Sequence, residues 1–276
     1  MSRALLGLGR FVNRLLRPAG LKIQPYDPNA PVKRKVYWDR YENVLGEFHN
    51  HLIETALPDL PRVEGRIELL GRLEGQSIRE AMWILQALHQ SLGVDGDICE
   101  FGCAAGATSA LIANEIRNTN KSLWLFDSFQ GLPKPTEKDQ LLNDFWNLGS
   151  IKAYAGTMSY PIESVQRKLK DVDFPLARIE VVPGFIEETL RLGHAPNRVS
   201  FALVDVDFYS PVLTALFFLR ERIAPGGRII VDDYGSFSAG AKAAVDEFAA
   251  KYPNEFLVEF SPAWSGQFAV FTKMLR

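Results

Sequence analysis

Five short runs of apolar, β-branched and aromatic residues lie near positions 97–101, 122–127, 178–182, 200–206 and 228–232. They alternate with segments of helical periodicity near 107–117, 160–170, 186–192 and 210–222. Strands and helices in regular alternation build a mostly parallel sheet with helices on its faces. Pro225, Gly226 and Gly227 read as a turn into the fifth run. After a helix from about Ala239 to Lys251, FLVEF and QFAVFTK read as a closing antiparallel hairpin joined through Pro262 and Gly266. The expectation is an α/β protein with a seven-stranded, mostly parallel sheet. A chain of 276 residues, 47% of them hydrophobic, is long enough for one such domain with an extension.

The extension precedes the sheet. Leu5, Leu8, Phe11, Val12, Leu15 and Leu16 recur at helical spacing with arginines mostly opposite, an amphipathic helix that ends before Pro18. It suits packing on its own domain or on a sister subunit, with weak peripheral contact to an anionic membrane as the alternative. Leu21 to Lys35, with Pro25, Pro28 and Pro31, reads as an extended linker, and the pattern is helical again from Tyr37 to about Leu57. Ser77 followed by Glu80 predicts a capped helix start, with Met82, Trp83, Leu85 and Leu88 on the helix that follows. Residues 1–76 are thus expected as an amphipathic helix, a linker and a helical cap, and 77–276 as the catalytic domain.

Charge is uneven. Residues 1–40 carry nine Lys or Arg against Asp27 and Asp39, a balance of +7, so a net charge of −2 leaves −9 on the remainder. This balance gives no reason to expect nucleic acid, while the basic arm suits reaching a neighbouring subunit in a homo-oligomer. Cys99 and Cys103 are the only cysteines, too few for a disulfide framework or a cysteine zinc site, which fits a cytoplasmic protein. No apolar run approaches the ~18 residues of a membrane span, and Arg10, Arg14 and Arg17 interrupt any secretory pattern.

Chemistry is expected where strands end. In DICEFGCAAGATSALIANEI, Gly102 and Gly106 flank a strand-to-helix turn where a missing Cβ lets a cofactor approach the backbone. Glu100 at the strand end can accept from a cofactor ammonium. Asp127 closes the next strand, where an acid can hold both ribose hydroxyls or else cap a turn. Asp205 ends the fourth run and Asp232 with Asp233 the fifth, so neighbouring strands can converge three carboxylates on a Mg²⁺-like ion. Asp207, two residues beyond Asp205, is expected on the same side of an extended segment, as a second carboxylate behind the ligands or a general base. A set of loop caps is the bland alternative. His49, His51, His89 and His194 are read as structural or exposed.

The motifs ICEFGCAAGATSALIA, LFDSFQGLPKP, FALVDVDFYSPVLTALFFL and PGGRIIVDDY, in this order across residues 77 to 272, resemble the macrocin O-methyltransferase family of class I S-adenosylmethionine-dependent methyltransferases. The resemblance implies a Rossmann-like fold, S-adenosylmethionine (SAM) as methyl donor, and Mg²⁺ or another divalent cation chelated by neighbouring oxygens of a sugar or other diol. It carries the metal to Asp205, Asp232 and Asp233. The cofactor falls to Glu100, Gly102, Cys103, Gly106, Asp127, Ser128 and Phe129, with Gly184 and Phe185 near the adenine and Ser77 near the methionine end. Some relatives use a histidine in the loop after the second strand. None occurs between Ser128 and Tyr160 here, which leaves Asp207 as the expected base.

The implied activity is metal-dependent O-methylation of a sugar or glycosylated metabolite. A catechol-type acceptor is the nearest rival, since a metal chelates aromatic diols equally well. A Mn²⁺-dependent glycosyltransferase would use the DVD triplet but leaves the glycine turn, Asp127 and the second aspartate pair without a shared task. A scaffold that binds SAM without turnover is the rival outside enzymes. The long loop from Phe129 to Tyr160 reads as a lid on which Trp146 suits stacking against a sugar face.

Overall fold

The computed structural model describes residues 31–275. The amphipathic helix expected before Pro18 lies outside the described residues, as does the linker up to residue 30. From Pro31 the chain is already helical, and helix α1 runs Pro31–Thr55. The expected linker therefore ends earlier than its prolines imply. Proline is well tolerated at the first position of a helix, where its missing N–H would have had no partner.

The remaining helices are α2 Arg66–Leu70, α3 Ile78–Ser91, α4 Ala107–Ile116, α5 Ile162–Asp171, α6 Ile186–Thr189, α7 Tyr209–Arg222 and α8 Ala239–Lys251. Strands β1 Asp97–Phe101, β2 Leu123–Asp127, β3 Ile179–Pro183, β4 Val199–Val204, β5 Ile223–Val231, β6 Phe256–Phe260 and β7 Ala269–Lys273 form one sheet in the order β3-β2-β1-β4-β5-β7-β6. The first five strands are parallel, and β7 runs antiparallel between β5 and β6. Pro225 to Gly227 do not precede the fifth strand. They lie inside β5 as an irregularity between the pairings of Ile223 with Val199 and Arg228 with Phe201. Among the described residues no helix is long and apolar enough to cross a membrane.

Alternation along the strands divides the core in two. Ile98, Leu125, Phe201, Leu203 and Ile230 face a layer built on α3, α4 and α5, to which Leu45, Leu52, Leu57 and Leu70 also belong. Cys99, Phe101, Phe126, Ala202, Val204 and Val231 face the layer of α7 and α8. Successive residues of a strand point to opposite faces, so a strand covered on both sides must be apolar throughout. β4, buried at all six positions, is apolar at five of them, and the hydroxyl of the sixth, Ser200, donates to the Gly96 carbonyl at 3.1 Å. Phe101 and Phe126 stack across β1 and β2 at 4.6 Å. This packing stiffens the strand ends that carry the site.

Candidate active site

A cleft of about 440 Å³ opens at the C-terminal ends of β1, β2, β4 and β5, where open α/β sheets bind ligands. One rim is the turn after β1. Gly102 and Gly106 both have left-handed backbone, with φ of 88° and 83°. A Cβ on Gly102 would lie 1.8 Å from the carbonyl oxygen of Asp205, and one on Gly106 would lie 2.8 Å from the Cα of Val165. Both glycines are thus required by the protein's own backbone, a stronger reason than approach by a ligand. Asp127 fastens this turn to β2: its Oδ2 accepts from the amides of Cys103 and Ala104 at 2.7 and 3.0 Å, and its Oδ1 from the amide of Phe129 at 2.7 Å. The turn-capping alternative for Asp127 is realised, while its carboxylate still lines the cleft.

Of the residues expected around a cofactor, Gly102, Cys103, Asp127, Ser128 and Phe185 line the cleft; Glu100, Gly106, Phe129, Gly184 and Ser77 do not. Glu100 is 1% exposed, beneath the turn, where it accepts a hydrogen bond from the Ser109 hydroxyl. Burial raises its pKa from the ordinary 4.5 to about 8, against the opposing effect of that hydrogen bond. Ser77 is occupied in a reciprocal cap: its hydroxyl accepts from the amide of Glu80, and the Glu80 carboxylate accepts from the amide of Ser77. No histidine lines the cleft.

The opposite wall is acidic. Carboxylate oxygens of Asp205, Asp207 and Asp233 lie within 4.8 Å of one another. Asp207 is not in an extended segment. It and Asp233 have φ of 62° and 57°, unusual for residues with a side chain, and this turn brings Asp207 to Asp233 as well as to Asp205. Asp207 and Asp233 thus crowd each other as well as Asp205. Asp232 lies beside them in the cleft: its Oδ2 accepts from Gln76 Nε2 at 3.0 Å, and its Oδ1 from the amide of Asp233. Burial first, and neighbouring carboxylates second, push Asp205, Asp207 and Asp232 well above the usual carboxylate range. Among the described residues no lysine or arginine lines the cleft. The gathered set is therefore Asp205, Asp207 and Asp233, with Asp232 beside it, whereas Asp205, Asp232 and Asp233 were expected together.

Gln76 is the residue that sequence reasoning missed. Its amide nitrogen serves Asp232 and lies 3.5 Å from Asp205, and its oxygen accepts from the Thr108 hydroxyl at 3.2 Å. It thus joins the acidic wall to the first turn of α4. Its place just before a helix cap was the only signal. The loop from Phe129 to Tyr160 forms the third side. Tyr154, fully buried with Leu132, Phe208 and Phe237, anchors it. Trp146 stacks on Tyr154 with centroids 5.7 Å apart and planes at 14°, and keeps 46% of its surface exposed on the cleft.

The family model described as Macrocin-O-methyltransferase (TylF) matches residues 59–254, more than half of the chain and every strand that builds the cleft. The chain belongs to the macrocin-O-methyltransferase family. Relatives in sequence include the 8-demethyl-8-(2,3-dimethoxy-alpha-L-rhamnosyl)-tetracenomycin-C 4'-O-methyltransferase of Streptomyces olivaceus. It is 27% identical over 163 residues, 58% of this chain and 60% of that protein. The mycinamicin III 3''-O-methyltransferase of Micromonospora griseorubida is 30% identical over 148 residues, 51% and 56%. The matches thus span little more than half of each relative's length. The fold recurs in the O-methyltransferase NovP, with TM-score 0.61 and 23% identity over 72% of this chain and 81% of that one. It recurs also in the calicheamicin methyltransferase CalS11, with TM-score 0.58 and 18% identity over 91% and 98%.

Proposed function

We propose that this macrocin-O-methyltransferase family member transfers a methyl group from SAM to a hydroxyl of a sugar or glycosylated small molecule. The observation that carries the reading is the juxtaposition, in one cleft, of the backbone turn held by Asp127 with a wall of buried and half-buried aspartates that, among the described residues, no lysine or arginine joins. SAM supplies a methyl on a sulfonium centre. In the transfer a C–O bond forms to the acceptor, the C–S bond breaks with its electron pair going to sulfur, and the hydroxyl proton must leave.

Clustered carboxylates, with only oxygen donors, fit a hard divalent cation such as Mg²⁺. Asp205 and Asp233 would hold it, with Asp232 kept in place by Gln76, and it would lower the pKa of the acceptor hydroxyl and fix its orientation. Asp207 is the proton acceptor in this reading, its carboxylate set beside those of Asp205 and Asp233. Trp146 and Phe145 form an aromatic flank on which the apolar face of a sugar ring or its aglycone stacks. The reading also places the protein in the cytoplasm as a homo-oligomer.

The test is calorimetric titration with S-adenosylhomocysteine, with Mg²⁺ or with EDTA, followed by transfer of labelled methyl to glycosides carrying neighbouring hydroxyls. Binding little changed by EDTA, with turnover lost in EDTA, is expected. No binding under either condition overturns the methyltransferase reading, and turnover that survives EDTA overturns the metal.

A further inference from the structure

We infer that Asp139, in the loop after β2, is a positioning residue: its buried carboxylate locks the two acid-bearing loops and the aromatic flank into one register. The inference rests on the methyltransferase reading for its catalytic consequence, but its geometry stands without it.

Asp139 is 3% exposed in a loop whose neighbours Glu137, Lys138 and Gln140 are exposed. Its Oδ2 accepts from the amide and the hydroxyl of Thr136 at 2.6 and 2.7 Å, which folds its own loop. Its Oδ1 accepts from the amide of Tyr209 at 2.7 Å and from the hydroxyl of Ser238 at 3.3 Å. Tyr209 is the first residue of α7 and follows Asp207 by two positions; Ser238 is the N-cap of α8 and follows Asp233 by five. One carboxylate therefore holds the far ends of both loops that carry the aspartates.

Two further observations make the arrangement specific. The N-cap of α7 is Phe208, which has no side-chain acceptor, so Asp139 supplies from another part of the chain the oxygen that a helix start requires. In the first turn of α8, a Cβ on Gly240 would lie 1.7 Å from Asp139 Oδ1 and 2.7 Å from the amide of Tyr209. A glycine in a helix is unfavourable relative to alanine, and here its missing Cβ is the space the carboxylate occupies. Backbone bonds continue the seam, from the amide of Ala239 to the carbonyl of Gln140 and from the amide of Leu142 to that of Phe237. Phe145 and Trp146 follow directly.

Asp139→Asn and Gly240→Ala attack the same contact from opposite sides. Hydrogen exchange followed by mass spectrometry should show both variants losing protection together at residues 132–146, 205–212 and 232–241, about tenfold or more, with 97–116 unchanged. Turnover should fall about 10- to 100-fold, the cost of ångström-scale misplacement, while KM for SAM stays within about twofold. Gly240→Ala is the sharper case, because helix propensity alone predicts that it stabilises the protein. Faster exchange confined to 132–146, or a loss spread over the whole domain, overturns the inference, and so does a Gly240→Ala protein with unchanged exchange. If the unaltered protein transfers no methyl group, the proposed function fails, and the exchange pattern alone decides the role of Asp139.

Discussion

The protein buries acids in two places and treats them in opposite ways. On the α3–α4 side of the sheet, Glu115 is fully buried and receives Arg66 Nε at 2.7 Å, Arg66 Nη2 at 2.5 Å and His89 Nε2 at 2.6 Å. Burial alone would raise its pKa, but the bonds from Arg66 and His89 outweigh that and hold it below the ordinary value. At the strand ends, Asp207 is buried and Asp205 and Asp232 are half-buried, and their pKa values go the other way, raised by loss of water and by one another. The first acid is finished by the chain itself. The second group has other carboxylates as its nearest charges, and that difference is what marks it as the candidate site.

The comparison breaks most visibly at the strand ends. Asp205→Asn and Asp232→Asn are expected to lower turnover by ~10²- to 10³-fold, on the order of losing a preorganised electrostatic contact, yet to raise the thermal midpoint, because a neutral amide relieves the crowding of like charges. Calorimetric melting beside a methyl-transfer assay checks both signs. A fall in the midpoint would mean that these acids serve the fold as Glu115 does.

At the compensated site the signs reverse. Glu115→Ala leaves Arg66 buried without its partner and should cost about 3–5 kcal/mol, whereas Arg66→Met combined with Glu115→Leu should come close to neutral. Urea unfolding of the two proteins measures the contrast, and equal losses in both would remove it.

Glu100 sharpens the comparison through pH. The folded protein holds its proton up to about pH 8, while the unfolded chain releases it near 4.5. Between those values the native state binds more protons, so stability is whole below 4.5 and declines as pH rises, by about 1.4 kcal/mol per pH unit at the steepest. Glu100→Gln should flatten that decline without abolishing it, since the three raised aspartates add slope of the same sign. An unchanged slope in melts from pH 5 to 8 would mean that Glu100 is ionised in its pocket.

Much of the fold was legible because its signals are local. Ser77 and Glu80 form the expected cap, the helix from Ala239 to Lys251 has the expected ends, and the strands fall within a few residues of their apolar runs. The site was legible as far as strand ends could carry it: Asp127, Asp205 and the Asp232–Asp233 pair all reach the cleft. What escaped depends on backbone turns and long-range partners. Alternation along an extended strand cannot anticipate the left-handed turn at Asp207. Gln76 acquires its meaning only from Thr108 and Asp232, far along the chain. Asp139, set between Lys138 and Gln140 in a polar stretch, has the local pattern of a solvated loop. Gly106 looked like room for a ligand and is instead room for α5.

The position of β7 has a consequence for how the molecule is made. It is the last strand of the sheet in the chain, yet it lies inside the sheet, with Val270 and Phe271 buried between β5 and β6. On the ribosome the parallel half can assemble as it emerges, but β5 keeps a bare edge until residues 269–273 are released, and an unpaired edge invites the wrong partner. The aspartates at the end of β5 thus wait for the final strand to seal the sheet behind them.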